Sequence, residues 1–325
     1  MNLVRSIFLA ALLLNTAILT PANASDWPKK YRLLQAPASY RENTPLPLIA
    51  QNGILHVRLW MGAGLGNRLK KLASYIRYYH PQHLNIYWQN KDYVTASFFD
   101  LFNLDAPFTV TEYNQWKMIE QFSYPEPLYP YINDFSLFAA AEEFPDNQHR
   151  FIDHAYNEIP ANIKSAYRNI FKMITPSEKV QKRIDEVKLD EHTVAVQVRN
   201  NLDWERVFHR NEPEEVFFEI MDKFPADTTF YLSAMSKEAA APFYARYGSR
   251  IRELPDKDYN SMIDAAADMF ILGRTKEAVY SLGSSFSEVG WWLGGAKAKV
   301  HLAGSSDHWH TPLQPDFKVI QQLPK

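Results

Sequence analysis

The chain has no cysteine. Disulfides therefore cannot staple the fold, and neither a thiolate metal site nor a catalytic thiol is available. At 325 residues a hydrophobic core can stabilise the protein alone. Charge of one sign is also missing: 35 Lys and Arg stand against 37 Asp and Glu, a formal net charge of −2. That balance offers nothing to a nucleic acid or an anionic membrane, and no nucleic-acid partner is expected. Several catalytic signatures are absent as well. There is no nucleophile elbow and no G-x-x-x-x-G-K phosphate loop. No D-x-D pair falls in a loop that the strand–helix pattern marks for a ligand, so a metal-dependent transferase of that kind is not supported.

What is present begins with an export signal. Arg5 supplies a positive n-region, Ile7 to Leu19 a short apolar run, and Ala22-Asn23-Ala24 an A-x-A type cleavage site. The run is too short to span a bilayer comfortably and contains Asn15 and Thr16. Cleavage after Ala24 and a periplasmic or secreted location are expected, with no stable membrane span afterwards; a signal anchor is the minor alternative. The only N-x-S/T match, Asn23-Ala24-Ser25, lies astride that cleavage site. This fits a bacterial exported protein better than a eukaryotic lumenal one.

Beyond residue 47, apolar runs alternate with helical patterns. Strands are predicted at Ile54 to Trp60, Leu84 to Trp88 and Phe108 to Tyr113, with helices over Asn67 to Tyr79 and Ala96 to Phe102. A helical stretch from Ile163 to Val187 is interrupted at Thr175-Pro176, and Ser177 can cap its second part. The second half repeats the alternation more cleanly. Strands are expected at Thr193 to Val198, Thr228 to Leu232, Ala278 to Leu282 and Lys299 to Ala303, with helices over Glu214 to Phe224, Lys237 to Tyr247, Met262 to Arg274 and Phe286 to Leu293. The expected fold class is α/β, with two Rossmann-like domains whose parallel sheets face a cleft: residues 25–165 and 166–325, after a signal peptide of residues 1–24. Ligands in such sheets sit at the carboxyl ends of strands, which directs attention to the loops beginning at Gly62, Arg199, Ser233 and Gly283.

Three of those loops carry suggestive chemistry. Gly64-Leu65-Gly66-Asn67-Arg68-Leu69 lies at a strand-to-helix turn, where glycines allow close backbone approach and a helix N-terminus favours an anion. A tight β–α turn in which glycine relieves strain explains the same residues, and no third glycine completes a dinucleotide fingerprint. Arg199 directly follows a buried strand, where a planar bidentate donor can hold a diphosphate, and Asp203 is close enough to orient it. A surface ion pair at a strand end is the plainer alternative. Ser284-Ser285-Phe286-Ser287 opens a helix, and its N–H groups and hydroxyls suit a phosphate as well as an ordinary N-cap. His308 and His310, with His301 upstream, lack a spaced third ligand; no metal is expected.

Taken together, these blocks resemble the fucosyltransferase superfamily that includes protein O-fucosyltransferases and α1,6-fucosyltransferases. Gly64 to Leu69 resembles the G-x-G-N-[RQ] turn of that superfamily. Val198-Arg199-Asn200-Asn201-Leu202-Asp203-Trp204 is similar to its H-L-R-x-x-x-D-W block, and Asp268-Met269-Phe270-Ile271-Leu272-Gly273 to Ser284-Ser285-Phe286-Ser287 to its D-L-x-I-L-G … S-S-F-[ST] pattern. The resemblance implies a metal-independent GT-B fold with no cofactor beyond a GDP-fucose donor held mainly by the C-terminal domain. It implies that Arg199 grips the β-phosphate and that Ser284, Ser285 and Phe286 offer donors to the phosphates. Asp268 would face the guanine, while Gly64, Gly66, Asn67 and Arg68 would approach from the other domain. Asp203 or Glu205 would assist an acceptor hydroxyl on a glycan, peptide or lipid. Gln197 stands in place of the histidine before the family arginine, and Asn200 in place of a second arginine of the α1,6-type enzymes. The alternative is an exported, non-catalytic glycan- or nucleotide-binding protein retaining the fold. A dinucleotide oxidoreductase fits the Gly64 turn but lacks the third glycine.

Overall fold

The computed structural model describes residues 31–33, 48–50, 54–58, 64–89, 94–114, 141–143, 149–151, 154, 155, 159, 161–199 and 214–304. Two five-stranded sheets dominate them. The first has the order β1 (Tyr31–Leu33), β2 (Leu48–Ala50), β3 (Ile54–Arg58), β4 (His83–Gln89), β6 (Thr109–Asn114). Its β3, β4 and β6 are parallel, linked by helices α1 (Leu65–Tyr79) and α2 (Phe98–Leu101), whereas β1 and β2 add an antiparallel edge. That edge lies in the polar lead before Ile54, where no periodicity announces a strand.

The second sheet is wholly parallel, with the order β12 (Ile251–Arg252), β11 (Thr229–Ala234), β10 (Thr193–Val198), β13 (Glu277–Ser281), β14 (Lys299–Ala303). Helices α5 (Glu214–Met221), α6 (Lys237–Tyr247), α7 (Met262–Leu272) and α8 (Ser285–Leu293) alternate with these strands. All six residues of β10 are buried, as expected for a central strand covered on both faces. The chain leaves β10 toward β11 and β12, then returns to β13 on the other side. The switch point thus falls between the ends of β10 and β13, where a crevice for a ligand opens.

The two halves share one core. Leu55, Leu84 and Trp88 from the first sheet belong to the same buried cluster as Ala195, Met269, Trp291 and Trp292 from the second half. Between them lie the antiparallel pair β7 (Ala141–Glu143) and β8 (His149–Phe151), then α3 (Lys164–Met173), β9 (Ile174–Pro176) and α4 (Glu178–Asp185), with β9 pairing antiparallel to β5 (Phe102–Leu104). The interruption at Thr175-Pro176 is therefore a short strand, and Ser177 does cap α4 by accepting from the Val180 N–H at 3.3 Å. Helix α1 packs on α8 at very short range: a Cβ on Gly66 would lie 2.5 Å from the Ser285 carbonyl oxygen. Beneath that contact Lys70 Nζ meets Glu288 Oε2 at 2.7 Å, with both side chains buried. Among the described residues no helix is long and apolar enough to cross a membrane. Residues 1–24, on which the export reading rests, lie outside the described residues.

Candidate functional site

A cavity of about 280 Å³ opens at the switch point. The N-termini of α1 and α8 both face it, together with the ends of β10 and β11 and the start of α7. Of the residues singled out in the sequence, Gly64, Gly66, Asn67, Gln197, Arg199, Asp268, Ser284, Ser285 and Phe286 all line it. They come from four separate segments, and only the fold brings them together. Asp203, Glu205, His308 and His310 lie outside the described residues, and His301 instead pairs with Glu277 on β13 at 3.0 Å.

Arg68 requires a correction. It does not line the cavity; its side chain is fully buried, donates to the Trp88 carbonyl at 2.5 Å and lies over the Trp88 ring. Asn67 lines the cavity, whereas Arg68, about 100° further round the helix, turns into the core against Trp88. Gly66 also has a second role. The atoms its missing Cβ would strike are backbone atoms of Ser285 and Phe286, whereas a Cβ on Gly64 would meet nothing within 4 Å. Gly66 thus permits the approach of α1 to α8, and Gly64 keeps the cavity mouth open.

The ends of α1 and α8 at the cavity lack the serine cap bond that four other helices carry. Helices α2, α4, α6 and α7 begin at Ser97, Ser177, Ser236 and Ser261, each accepting a hydrogen bond from the backbone N–H three residues on. At α1 the cap is Gly64, without a side chain; at α8 it is Ser284, whose side chain makes no cap bond. The first N–H groups of both helices are therefore not answered by their own caps, and two helix dipoles converge on one space. Ser284 Oγ and Gln197 Oε1 are also buried without a hydrogen-bond partner among the described residues, at 1% and 3% residue exposure. Buried polar atoms are rarely left so. Gly283, with φ 71°, adopts the left-handed conformation that turns β13 into α8.

Arg199 is held from behind by Ser281. Its backbone N–H donates to Ser281 Oγ at 2.8 Å, and that hydroxyl donates to the Gln197 carbonyl at 3.2 Å. The β10–β13 ladder ends at Gln197 and Tyr280, and Ser281 extends the pairing by its side chain. Nothing in a sequence distinguishes such a serine from any other at a strand end.

Asp268 also lines the cavity, within a polar network that the sequence did not signal. Tyr231 Oη donates to its Oδ1 at 2.5 Å, and Ser233 Oγ and Lys257 Nζ both donate to its Oδ2 at 2.8 Å. Burial pushes the Asp268 carboxyl up from its ordinary value, and the Lys257 charge opposes that rise. Burial, followed by the Asp268 charge, pushes the Tyr231 hydroxyl well above its ordinary value. Lys257 is the middle residue of Asp256-Lys257-Asp258, the chain's single D-x-D triplet. The triplet lies between β12 and α7, outside the expected ligand loops, yet Lys257 and Asp258 line the cavity.

No family model matches the sequence, and no curated protein matches it. Solved structures do match. The fucosyltransferase NodZ from Bradyrhizobium is similar with a TM-score of 0.50 at 16% identity, over 80% of this chain and 98% of that one. POFUT1 in complex with GDP-fucose is similar with a TM-score of 0.50 at 12% identity, over 79% of this chain and 99% of that one. At these identities the likeness is one of fold: the chain has the two-sheet α/β architecture, GT-B-like, of these fucosyltransferases.

Proposed function

We propose that this protein is an inverting, metal-independent glycosyltransferase that moves fucose from GDP-fucose to a hydroxyl of a glycan, peptide or lipid. We propose further that it acts after export, with its first 24 residues removed. The observation that carries the reading is one anion site made of two helix N-termini without side-chain caps, the orphaned Ser284 hydroxyl and Arg199. A diphosphate suits it: helix-end N–H groups and a planar guanidinium each favour phosphate oxygens. Likeness of fold to POFUT1, whose solved complex holds GDP-fucose, supports the same class of ligand.

In the proposed reaction the acceptor oxygen attacks the sugar C1 while the bond from C1 to the diphosphate oxygen breaks. The departing GDP gains negative charge, which Arg199 and the α8 N–H groups stabilise in place because they are fixed beforehand. The proton of the acceptor hydroxyl passes to a carboxylate, with Asp203 or Glu205 proposed for that role. Gln197 Oε1 is an acceptor able to orient a ligand hydroxyl or N–H, but it does not titrate as a histidine would.

Arg199→Ala is expected to weaken GDP binding by about 100-fold or more, given about 1.5–3 kcal/mol for each charged hydrogen bond of a bidentate pair. Its circular dichroism and melting temperature are expected to stay near wild type. Arg199→Lys should restore little, because lysine lacks the bidentate fork. Unchanged GDP affinity in Arg199→Ala would remove this residue from the site.

A further inference from the structure

The diphosphate reading leaves one wall of the cavity without a role, apart from Asp268, which the family resemblance turns toward the guanine. Beside the end of β11, the side chains of Lys257, Glu253 and Asp268 are only 6%, 8% and 4% exposed. The hydroxyls of Tyr231, Tyr244 and Tyr259 all donate into this group. Burying so many charges is a poor route to stability, because desolvation offsets most of their attraction. It is a good route to fixed geometry. The three N–H donors of Lys257 reach three elements: Asp268 on α7 at 2.8 Å, Glu253 after β12 at 3.2 Å, and the Ala234 carbonyl ending β11 at 3.3 Å. Glu253 in turn accepts from Tyr259 through both oxygens, and Lys257 lies over the Tyr259 ring. The segment from residue 253 to the α7 cap at Ser261 is thus pinned to the sheet.

That pinned segment supplies Lys257, Asp258, Tyr259 and Ser261 to the cavity lining. Its position fits a ligand longer than a diphosphate. Arg199 and Ser284 stand at the ends of β10 and β13, whereas this wall adjoins β11 on the other side of β10. Two strand spacings, about 10 Å, separate β13 from β11. A diphosphate anchored on α8 would direct its nucleoside toward this wall.

We propose that Lys257 is a specificity-determining residue that acts by position. It locks residues 253–261 against β11 and α7, and so sets the shape of the compartment that takes the base, without touching the diphosphate. The inference rests on the diphosphate reading of the same cavity.

Calorimetric titration of the full chain with GDP, ADP, UDP and pyrophosphate tests it, using wild type, Lys257→Met, Lys257→Arg and Glu253→Gln. In Lys257→Met the affinity ratio between best and worst nucleoside diphosphate is expected to fall about 10-fold, with pyrophosphate affinity within about 2-fold of wild type. Lys257→Arg should keep part of the ratio, since a guanidinium can still bridge both carboxylates. If Lys257→Met does not fold, Glu253→Gln decides: it leaves Lys257 paired with Asp268, and a ratio lowered about 3-fold is expected. An unchanged ratio in the decisive variant overturns the proposal, as does a parallel loss of pyrophosphate affinity. Wild-type protein that binds pyrophosphate and every nucleoside diphosphate alike would leave an anion site but no base compartment, and would also overturn it. Wild-type protein that binds none of the four would instead overturn the diphosphate reading, and this inference with it.

Discussion

Replacing Gly66 by alanine should damage ligand binding more than it damages the fold. The added Cβ would sit 2.5 Å from the Ser285 carbonyl oxygen, 2.6 Å from its carbon and 2.7 Å from the Phe286 nitrogen. All three are backbone atoms, so no side chain can rotate away. Relieving the shortest contact to an ordinary separation requires the first turn of α8 to move by about 0.9 Å relative to α1. Lys70 and Glu288, buried and 2.7 Å apart, resist that movement. Overpacking of this kind costs about 1–3 kcal/mol, while alanine in place of glycine within a helix returns up to about 1 kcal/mol. With that full return the net loss of stability is about 0–2 kcal/mol. A shift of about 0.9 Å takes N–H donors from a good hydrogen-bond distance to beyond 3.5 Å. Losing two such bonds to a charged phosphate removes about 3 kcal/mol or more, roughly a 100-fold loss of GDP affinity. Differential scanning calorimetry and isothermal titration read the two effects separately. Gly64→Ala is the control: its Cβ meets nothing within 4 Å, so only the poorer N-cap, at most about 1 kcal/mol, should appear in its melting. A Gly66→Ala protein with wild-type melting and wild-type GDP affinity would show that the close α1–α8 contact does not position the site.

Three further outcomes follow from the same geometry. Ser281→Ala strands the Arg199 N–H and should cost about 1–3 kcal/mol in urea unfolding, with GDP affinity reduced about 10-fold as Arg199 shifts; binding unchanged while stability falls would limit Ser281 to the fold. Lys70→Met leaves the buried Glu288 carboxylate without its cation, and a loss of about 3–5 kcal/mol is expected, largely recovered in Lys70→Met with Glu288→Gln. Failure of the double variant to recover would show that the α1–α8 contact needs the ion pair itself. The hydrogen bond from Lys179 holds the Asp100 carboxyl below its ordinary 3.8. Its stabilisation is therefore present above that value and lost as pH falls through the lower folded-state value. Because both side chains are well exposed, the effect is about 0.3 kcal/mol or less. Melting of Asp100→Asn should fall slightly below wild type at pH 7 and match it near pH 2; a gap that persists in acid would contradict the assignment.

The parts of the fold governed by local periodicity were legible in the sequence. The strands Thr193 to Val198 and Lys299 to Ala303 and the helix Lys237 to Tyr247 have the boundaries expected of them. Short elements were not legible. β12 has only two residues, and β5 and β9 exist because they pair with each other across the halves. At the site, glycine and serine at strand-to-helix turns drew attention to both helix ends, and those ends line the cavity. Arg68 was misplaced because a motif is linear while a helix turns. Lys257 and Ser281 were invisible: each matters through partners far away in sequence, such as Asp268 and Arg199, and a polar residue in a loop carries no sign of its partner.

The most direct test of the central claim is titration of residues 25–325 with GDP, GDP-fucose, GDP-mannose, UDP-glucose and NAD in the presence of a chelator. Selective binding of GDP and GDP-fucose, without added metal, is the predicted result. Binding of none of the five would contradict the claim and leave a transferase-shaped protein with another role.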